Sequence, residues 1–263
     1  NGLREADFYI GMAYNRKYFF TKALAYYSDY RDFLKETTKG KSKKIPEVNM
    51  LIEKAQKARD LGEKTYTLKV ISNNKVKRGS FHFAYGRKMF DGNLVVKPDF
   101  LRQKSDKNIK DVDLVYVADT IAIVSSFGDD AKSGLDLFVS YKTDLGWSPL
   151  AKLPGFVNSP EDEAFPFITK DKTLYFASKG HNSIGGYDIF KSEYDEAAKQ
   201  WLAPQNLGFP INTPYDDFMY ALETNGKSAF FASDRTTKDG QVMVCRYIIE
   251  ENPQFVAIDV EEK

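Results

Sequence analysis

The sequence predicts an α+β protein in which a helical segment precedes an antiparallel β-propeller. Three observations carry this expectation. Residues 4–62 show helical periodicity with start and stop signals. From Thr65 the pattern changes to short alternating and aromatic runs separated by turn residues. From residue 119 onward one plan of strands and turns recurs, with an offset of 54 between its two tryptophans, Trp147 and Trp201. The expected division is 1–64 for the helical segment and 65–263 for the propeller.

The first helix is expected over residues 4–16 and the second over 18–36. The basic run Lys39-Gly-Lys-Ser-Lys-Lys44 reads as a solvated loop between helices. Pro46 opens a third helix, because its missing N–H costs nothing in the first turn. Val48, Leu51, Ile52 and Ala55 fall at i, i+3, i+4 and i+7 and form one apolar face. Gly62 supplies a stop. Ile10, Gly11, Tyr14, Ala23 and Tyr27 have the spacing of a tetratricopeptide repeat, in which small residues let two antiparallel helices approach and large aromatics fill the space beside them. Asp7 and Lys35 depart from that pattern, and a generic helical hairpin is the competing reading. A single repeat cannot bury its own faces, so this piece is expected to pack on another surface.

After the helices, strands are expected at 65–70, 80–85 and 94–97, and a polar loop at 104–111. The repeat becomes clear further on. Ala122-Ile-Val-Ser-Ser126 is followed by Asp136-Leu-Phe-Val-Ser140. Leu174-Tyr-Phe-Ala-Ser178 is followed by Asp188-Ile-Phe-Lys-Ser192, and Ala229-Phe-Phe-Ala-Ser233 by Val242-Met-Val-Cys-Arg246. The connections repeat too: Asn158-Ser-Pro160 and Asn212-Thr-Pro214 are again 54 residues apart. A four-stranded sheet repeated at roughly 50 residues is a propeller blade, and blades stack because none covers both of its faces alone. The β region has room for about four blades, in a closed or an incomplete ring, with residues 65–118 as a degenerate fourth.

Roles follow from the layout. Tyr175, Phe176, Phe230 and Phe231 are expected to pack sheet against sheet. Gly185 and Gly186 allow a close approach before a strand, and Asp188 can accept bonds from turn amides. The Asn-Ser/Thr-Pro segments with the acidic residues after them, Glu161-Asp-Glu163 and Asp216-Asp217, are read as corners between blades.

The run Gly185-Gly-Tyr-Asp-Ile-Phe-Lys-Ser192, then Trp201, then Asn206-Leu-Gly-Phe-Pro-Ile-Asn-Thr-Pro-Tyr-Asp-Asp217 resembles the TolB/WD40-like propeller repeat of a group of bacterial envelope proteins. In that group a tetratricopeptide segment precedes the propeller, and many members continue into an OmpA-like peptidoglycan-binding domain. Some are associated with type IX secretion and gliding machinery. The resemblance covers residues 119–250 closely and 4–37 more loosely, and no OmpA-like domain lies within the chain. It implies a periplasmic protein associated with the outer membrane, often through a lipidated N-terminus, with protein partners in the envelope. The chain opens with Asn1 rather than Met, which suggests a segment upstream of it.

Composition narrows the function classes. Lys and Arg number 38 against 37 Asp and Glu, a net charge of +1, so nothing pulls the chain onto nucleic acid or an anionic membrane. No apolar run approaches the ~20 residues of a membrane helix. The single cysteine, Cys245, sits in a strand-like apolar run and reads as a buried, inert thiol. The two histidines, His82 and His181, have no Cys or His at ligand spacing, so no zinc site is expected. There is no Gly-x-Ser-x-Gly elbow, Walker motif or Gly-x-Gly-x-x-Gly. The acidic pairs recur at equivalent positions, which favours a structural role over acid/base chemistry. The expectation is a non-enzymatic scaffold with no catalytic, cofactor or metal residues, binding proteins through its helices and through loops such as 179–186. The alternatives are a glycan or peptidoglycan-fragment binder using the propeller's funnel, and a glycosidase with carboxylates converging at the axis.

Overall fold

A computed structural model describes residues 2–62, 64–86, 92–109, 113–118, 120–128 and 134–256. It opens with three α-helices: α1 (Gly2–Arg16), α2 (Phe20–Thr38) and α3 (Ile45–Leu61). The α2 helix ends at Lys39 in the left-handed conformation, and Pro46 lies in the first turn of α3. Ala23, Tyr27, Tyr30, Leu34, Val48 and Ala55 are buried together, so the expected apolar face of α3 closes onto α2. The α1 and α2 helices approach closely at Gly11, where an added Cβ would sit 2.7 Å from the Tyr27 ring. Ile10 is not buried by this packing.

Fifteen strands follow among the described residues. They are β1 (Lys69–Lys77), β2 (Asn93–Val96), β3 (Leu114–Val117), β4 (Ile121–Ser126), β5 (Asp136–Thr143), β6 (Gly146–Trp147), β7 (Ala151–Lys152), β8 (Glu163–Ile168), β9 (Thr173–Ser178), β10 (Asp188–Asp195), β11 (Gln200–Trp201), β12 (Gln205–Asn206), β13 (Asp217–Leu222), β14 (Ser228–Ser233) and β15 (Gln241–Ile248). They form three antiparallel sheets. The first runs β2-β3-β4-β5-β6 with β7 also on β5, the second runs β8-β9-β10-β11 with β12 also on β10, and the third runs β13-β14-β15-β1. The α+β class with helices first and antiparallel sheets after is therefore as expected.

The three repeated strand pairs occupy equivalent places. The pairs β4–β5, β9–β10 and β14–β15 each form a hairpin, with Ser126 opposite Asp136, Ser178 opposite Asp188 and Ser233 opposite Met243. The strands β8 and β13 share an irregularity at positions 54 apart: Phe165 and Met219 have φ of 53° and the register shifts around them. Such a bulge bends the strand and re-aims its side chains.

Residues 65–118 depart from expectation in three ways. Their described residues make no fourth sheet: β1 joins the third sheet on β15, with Val76 opposite Val242, and β2 and β3 join the first. The segment expected as a strand at 80–85 is a 3-10 turn, Arg78–Tyr85. Its Phe81 packs on Phe165 and Phe218, and the Tyr85 hydroxyl donates to the Met219 carbonyl at 2.6 Å. Aromatic alternation mimicked a strand, while the buried faces are those of a short turn wedged between the second and third sheets. At 65–70 only Lys69 and Val70 belong to a strand, and Thr65 makes an isolated bridge to Val256. Of the polar 104–111 segment, Lys104–Asn108 is a 3-10 turn, and residues 110 and 111 lie outside the described residues.

Candidate binding surfaces

The carboxylates come first, because any acid/base chemistry would need them. Glu163, at the start of β8, is fully buried. It accepts from the Ser159 N–H at 2.8 Å, the Ser159 hydroxyl at 2.6 Å and the Ser178 hydroxyl at 2.6 Å. Asp217, at the start of β13, repeats this: it accepts from the Thr213 N–H and hydroxyl, both at 2.6 Å, and from Arg235 at 2.5 Å. Burial pushes Asp217 up to about 6 despite Arg235, and burial likewise raises Glu163.

The first sheet holds a third version that the sequence did not reveal. Asp106 accepts from the Gln103 N–H at 2.9 Å, the Ser126 hydroxyl at 2.7 Å and the Lys97 ammonium at 2.9 Å. The Lys97 and Asp106 side chains are both fully buried. Burial raises Asp106, but the bonds from Gln103, Lys97 and Ser126 outweigh it and hold the carboxyl below its ordinary value. The terminal serines Ser126, Ser178 and Ser233 were the available signal, since the two visible repeats already paired that serine with a carboxylate. Spacing hid it: the acidic residue here lies inside the 3-10 turn Lys104–Asn108 rather than after Asn-Ser/Thr-Pro.

The corner motif holds neighbouring strands. Asn158 Oδ1 accepts from the Leu137 N–H at 2.7 Å, and Asn212 Oδ1 accepts from the Ile189 N–H at 2.7 Å. Asp188 accepts from the Ile184 and Gly185 amides, as expected, and from Asn206 Nδ2 at 2.7 Å; burial pushes it up to about 7. A Cβ on Gly185 or Gly186 would collide with Tyr215 or Asp216. Among the acidic pairs, Asp216 accepts from the Tyr187 N–H at 3.0 Å and Asp162 from the Leu135 N–H at 2.9 Å. Tyr175 stacks on Tyr220 at 4.5 Å, joining the second sheet to the third, and Phe231 packs in one cluster with Ile189. Phe176 and Phe230 lie in the large cluster shared by all three sheets.

His181 sits in the 179–186 loop with Nε2 2.9 Å from the Val157 carbonyl and 3.8 Å from Glu163. His82 lies in the 3-10 turn, and burial lowers its pKa. Cys245 is buried, and burial pushes its thiol up to about 11. Among the described residues no group of three or more His, Cys, Asp or Glu could hold a metal ion. No helix among them is long and apolar enough to cross a membrane.

Three concave surfaces among the described residues are candidates for binding. The 179–186 loop, expected to be free, is largely covered by the chain's own helices. Lys54 of α3 donates to the Ser183 hydroxyl at 2.9 Å and the Gly185 carbonyl at 2.6 Å, and Phe20, Ala58, Ile184 and Phe209 are buried together. A cleft of about 660 Å³ survives beside this contact, between α3 and residues 179–183. At the opposite ends of the strands the three sheets converge on a funnel of about 470 Å³, lined by Tyr116, Tyr141, Phe167, Lys170 and Glu223 among others. The third surface is a groove of about 450 Å³ between the 3-10 turn and β2, lined by His82, Phe83 and Leu94 to Val96. Phe83 is 70% exposed and Val96 49% exposed there.

No protein-family model, curated protein or solved structure matches the chain.

Proposed function

We propose that the chain is a non-enzymatic protein-interaction scaffold of the bacterial cell envelope. The observation that carries this reading is the apolar surface the fold leaves uncovered. Tyr9 on α1 is 66% exposed and Ile10 lies beside it, while Phe83, Val95 and Val96 line the β2 groove. Clustered exposed apolar side chains mark protein contacts more often than single ones do. The buried carboxylates, by contrast, are held by bonds that recur from sheet to sheet, as structural elements are.

In this reading the three sheets are propeller blades of the TolB/WD40-like kind, and β1 supplies the outer strand of the last blade. The Gly11–Tyr27 approach supports a tetratricopeptide-like helical pair. The order of helices, then repeats, is that of the type IX secretion and gliding-associated OmpA-family proteins such as PorE. The proposal therefore places the chain in the periplasm, associated with the outer membrane. The test is affinity capture from the envelope fraction of a type IX-secreting bacterium, compared with its cytosol. One envelope protein retained at stoichiometric yield supports the proposal, and equal retention from both fractions or none contradicts it.

The funnel favours a second reading, glycan or peptidoglycan-fragment binding. Tyr141 presents an exposed ring there beside Lys172, a geometry suited to a sugar face. A thermal-shift screen against muropeptides tests it, with Tyr141→Ala abolishing any shift.

A further inference from the structure

We propose that β2 is a strand-addition site that pairs with an extended segment of a partner protein. This rests on the interaction reading above and names the surface and the kind of partner. A sheet edge carries a row of unpaired backbone donors and acceptors, and proteins normally guard it with charge, shortness or cover. The other strand edges among the described residues are guarded. The outer edge β1 carries Lys69, Lys75 and Lys77, β6, β7, β11 and β12 are two residues long, and β8 and β13 are buried. The edge strand β2, Asn93-Leu-Val-Val96, carries no charge. The lysine that follows it, Lys97, turns inward to Asp106.

The register tells which groups are offered. The Lys97 N–H donates to the Asp113 carbonyl, so in this antiparallel pair residues 93, 95 and 97 bond β3. The N–H and C=O of Leu94 and Val96 then point away from β3, into the groove. The opposite wall carries Phe83, in the same cavity of about 450 Å³. An extended segment laid along β2 would lie between it and Phe83. A second copy of this chain would bring its whole six-stranded sheet behind its own β2, so the fitting occupant is a single segment with apolar side chains at alternate positions, recognised through its backbone.

The test uses the whole chain and a fluorescein-labelled peptide of alternating threonine and valine with a lysine at each end. The variant is Val96→Pro, which removes one outward N–H, tolerable on an edge strand, and leaves the β2–β3 bonds in place. Saturable binding is expected, with hydrogen exchange at the Leu94 and Val96 amides slowed at least about tenfold by the peptide. Val96→Pro is expected to weaken binding at least about tenfold with an unchanged melting temperature. If the variant melts lower, the exchange measurement on the unaltered chain decides. Absent binding, binding without protection at these amides, or equal binding by a folded variant overturns the inference. So does a peptide-independent dimer that Val96→Pro dissolves. Envelope capture that persists in Val96→Pro sinks strand addition alone, whereas no capture by the unaltered chain sinks the interaction reading itself.

Discussion

Asn212 holds Ile189 by both of its backbone groups: Oδ1 accepts from the Ile189 N–H at 2.7 Å and Nδ2 donates to the Ile189 carbonyl at 2.8 Å. Asn158 does the same to Leu137, with Nδ2 at 3.2 Å from the carbonyl. One side chain thus splices the loop that enters a sheet onto a strand of the sheet before it. Asn212→Ala strands the buried Ile189 N–H, while the Leu207 N–H still serves the Ile189 carbonyl at 3.1 Å, and is expected to cost roughly 1–3 kcal/mol in urea unfolding. Asn158→Ala, at the less buried site, should cost about half as much. Equal and negligible losses would mean that the motif is incidental.

Lys54 is the polar tie between α3 and the sheets. Burial lowers its pKa, opposed by the field of Asp188, Glu161 and Asp216. Lys54→Met keeps the stem and removes the bonds to Ser183 and Gly185. Hydrogen exchange across residues 179–186 is expected to accelerate at least about tenfold, while the β14–β15 amides stay protected.

Gly11 is the contact point of α1 and α2. Gly11→Ala puts a methyl against the Tyr27 ring, and the helices must part or the ring must move. Ordinarily alanine stabilises a helix by about 1 kcal/mol over glycine. Here overpacking is expected to win, with a net loss of roughly 1–2 kcal/mol by thermal unfolding. The double variant Gly11→Ala/Tyr27→Leu should recover most of that loss.

Asp188 and Asp217 give stability a definite pH dependence. Both fold with pKa values raised, to about 7 and about 6, above the ordinary carboxylate value. The folded state therefore binds these protons more tightly than the unfolded one. Their contribution is fully present below about pH 4 and is lost as pH rises through 6 and 7. His82, lowered by burial, slopes the opposite way near neutrality, so the clean measurement uses a His82→Gln background. Urea midpoints are expected to fall from pH 5 to pH 8 by the equivalent of on the order of 2–4 kcal/mol.

The helices and the later strands were legible because each carries its own periodicity. Val48 and Ala55 fall on one face of α3, and Leu174 to Ser178 is a short apolar and aromatic run that recurs in β14 as Ala229 to Ser233. Asn212 and Asp188 were legible because a repeated motif displays its turn chemistry twice. What escaped was non-local. Nothing near Lys75 says that β1 will pair with β15 across the length of the chain. Phe81 and Tyr85 read as alternating strand residues, although their partners, Phe218 and Met219, lie far along the sequence. Lys97 was read as the end of a strand and Asp106 as a loop charge, and nothing local shows that the two pair once buried. The free edge at β2 is likewise a property of sheet order, which four residues cannot announce.

The claim that this chain works by docking a protein is tested most directly by photo-crosslinking in the living envelope. A benzoylphenylalanine replaces Val95 in the β2 groove or, as a control, Leu145, which is fully exposed in a turn at 101%. One discrete heavier band, containing a second protein, is expected from position 95 and none from position 145. No band at position 95, or the same bands from both positions, would contradict it.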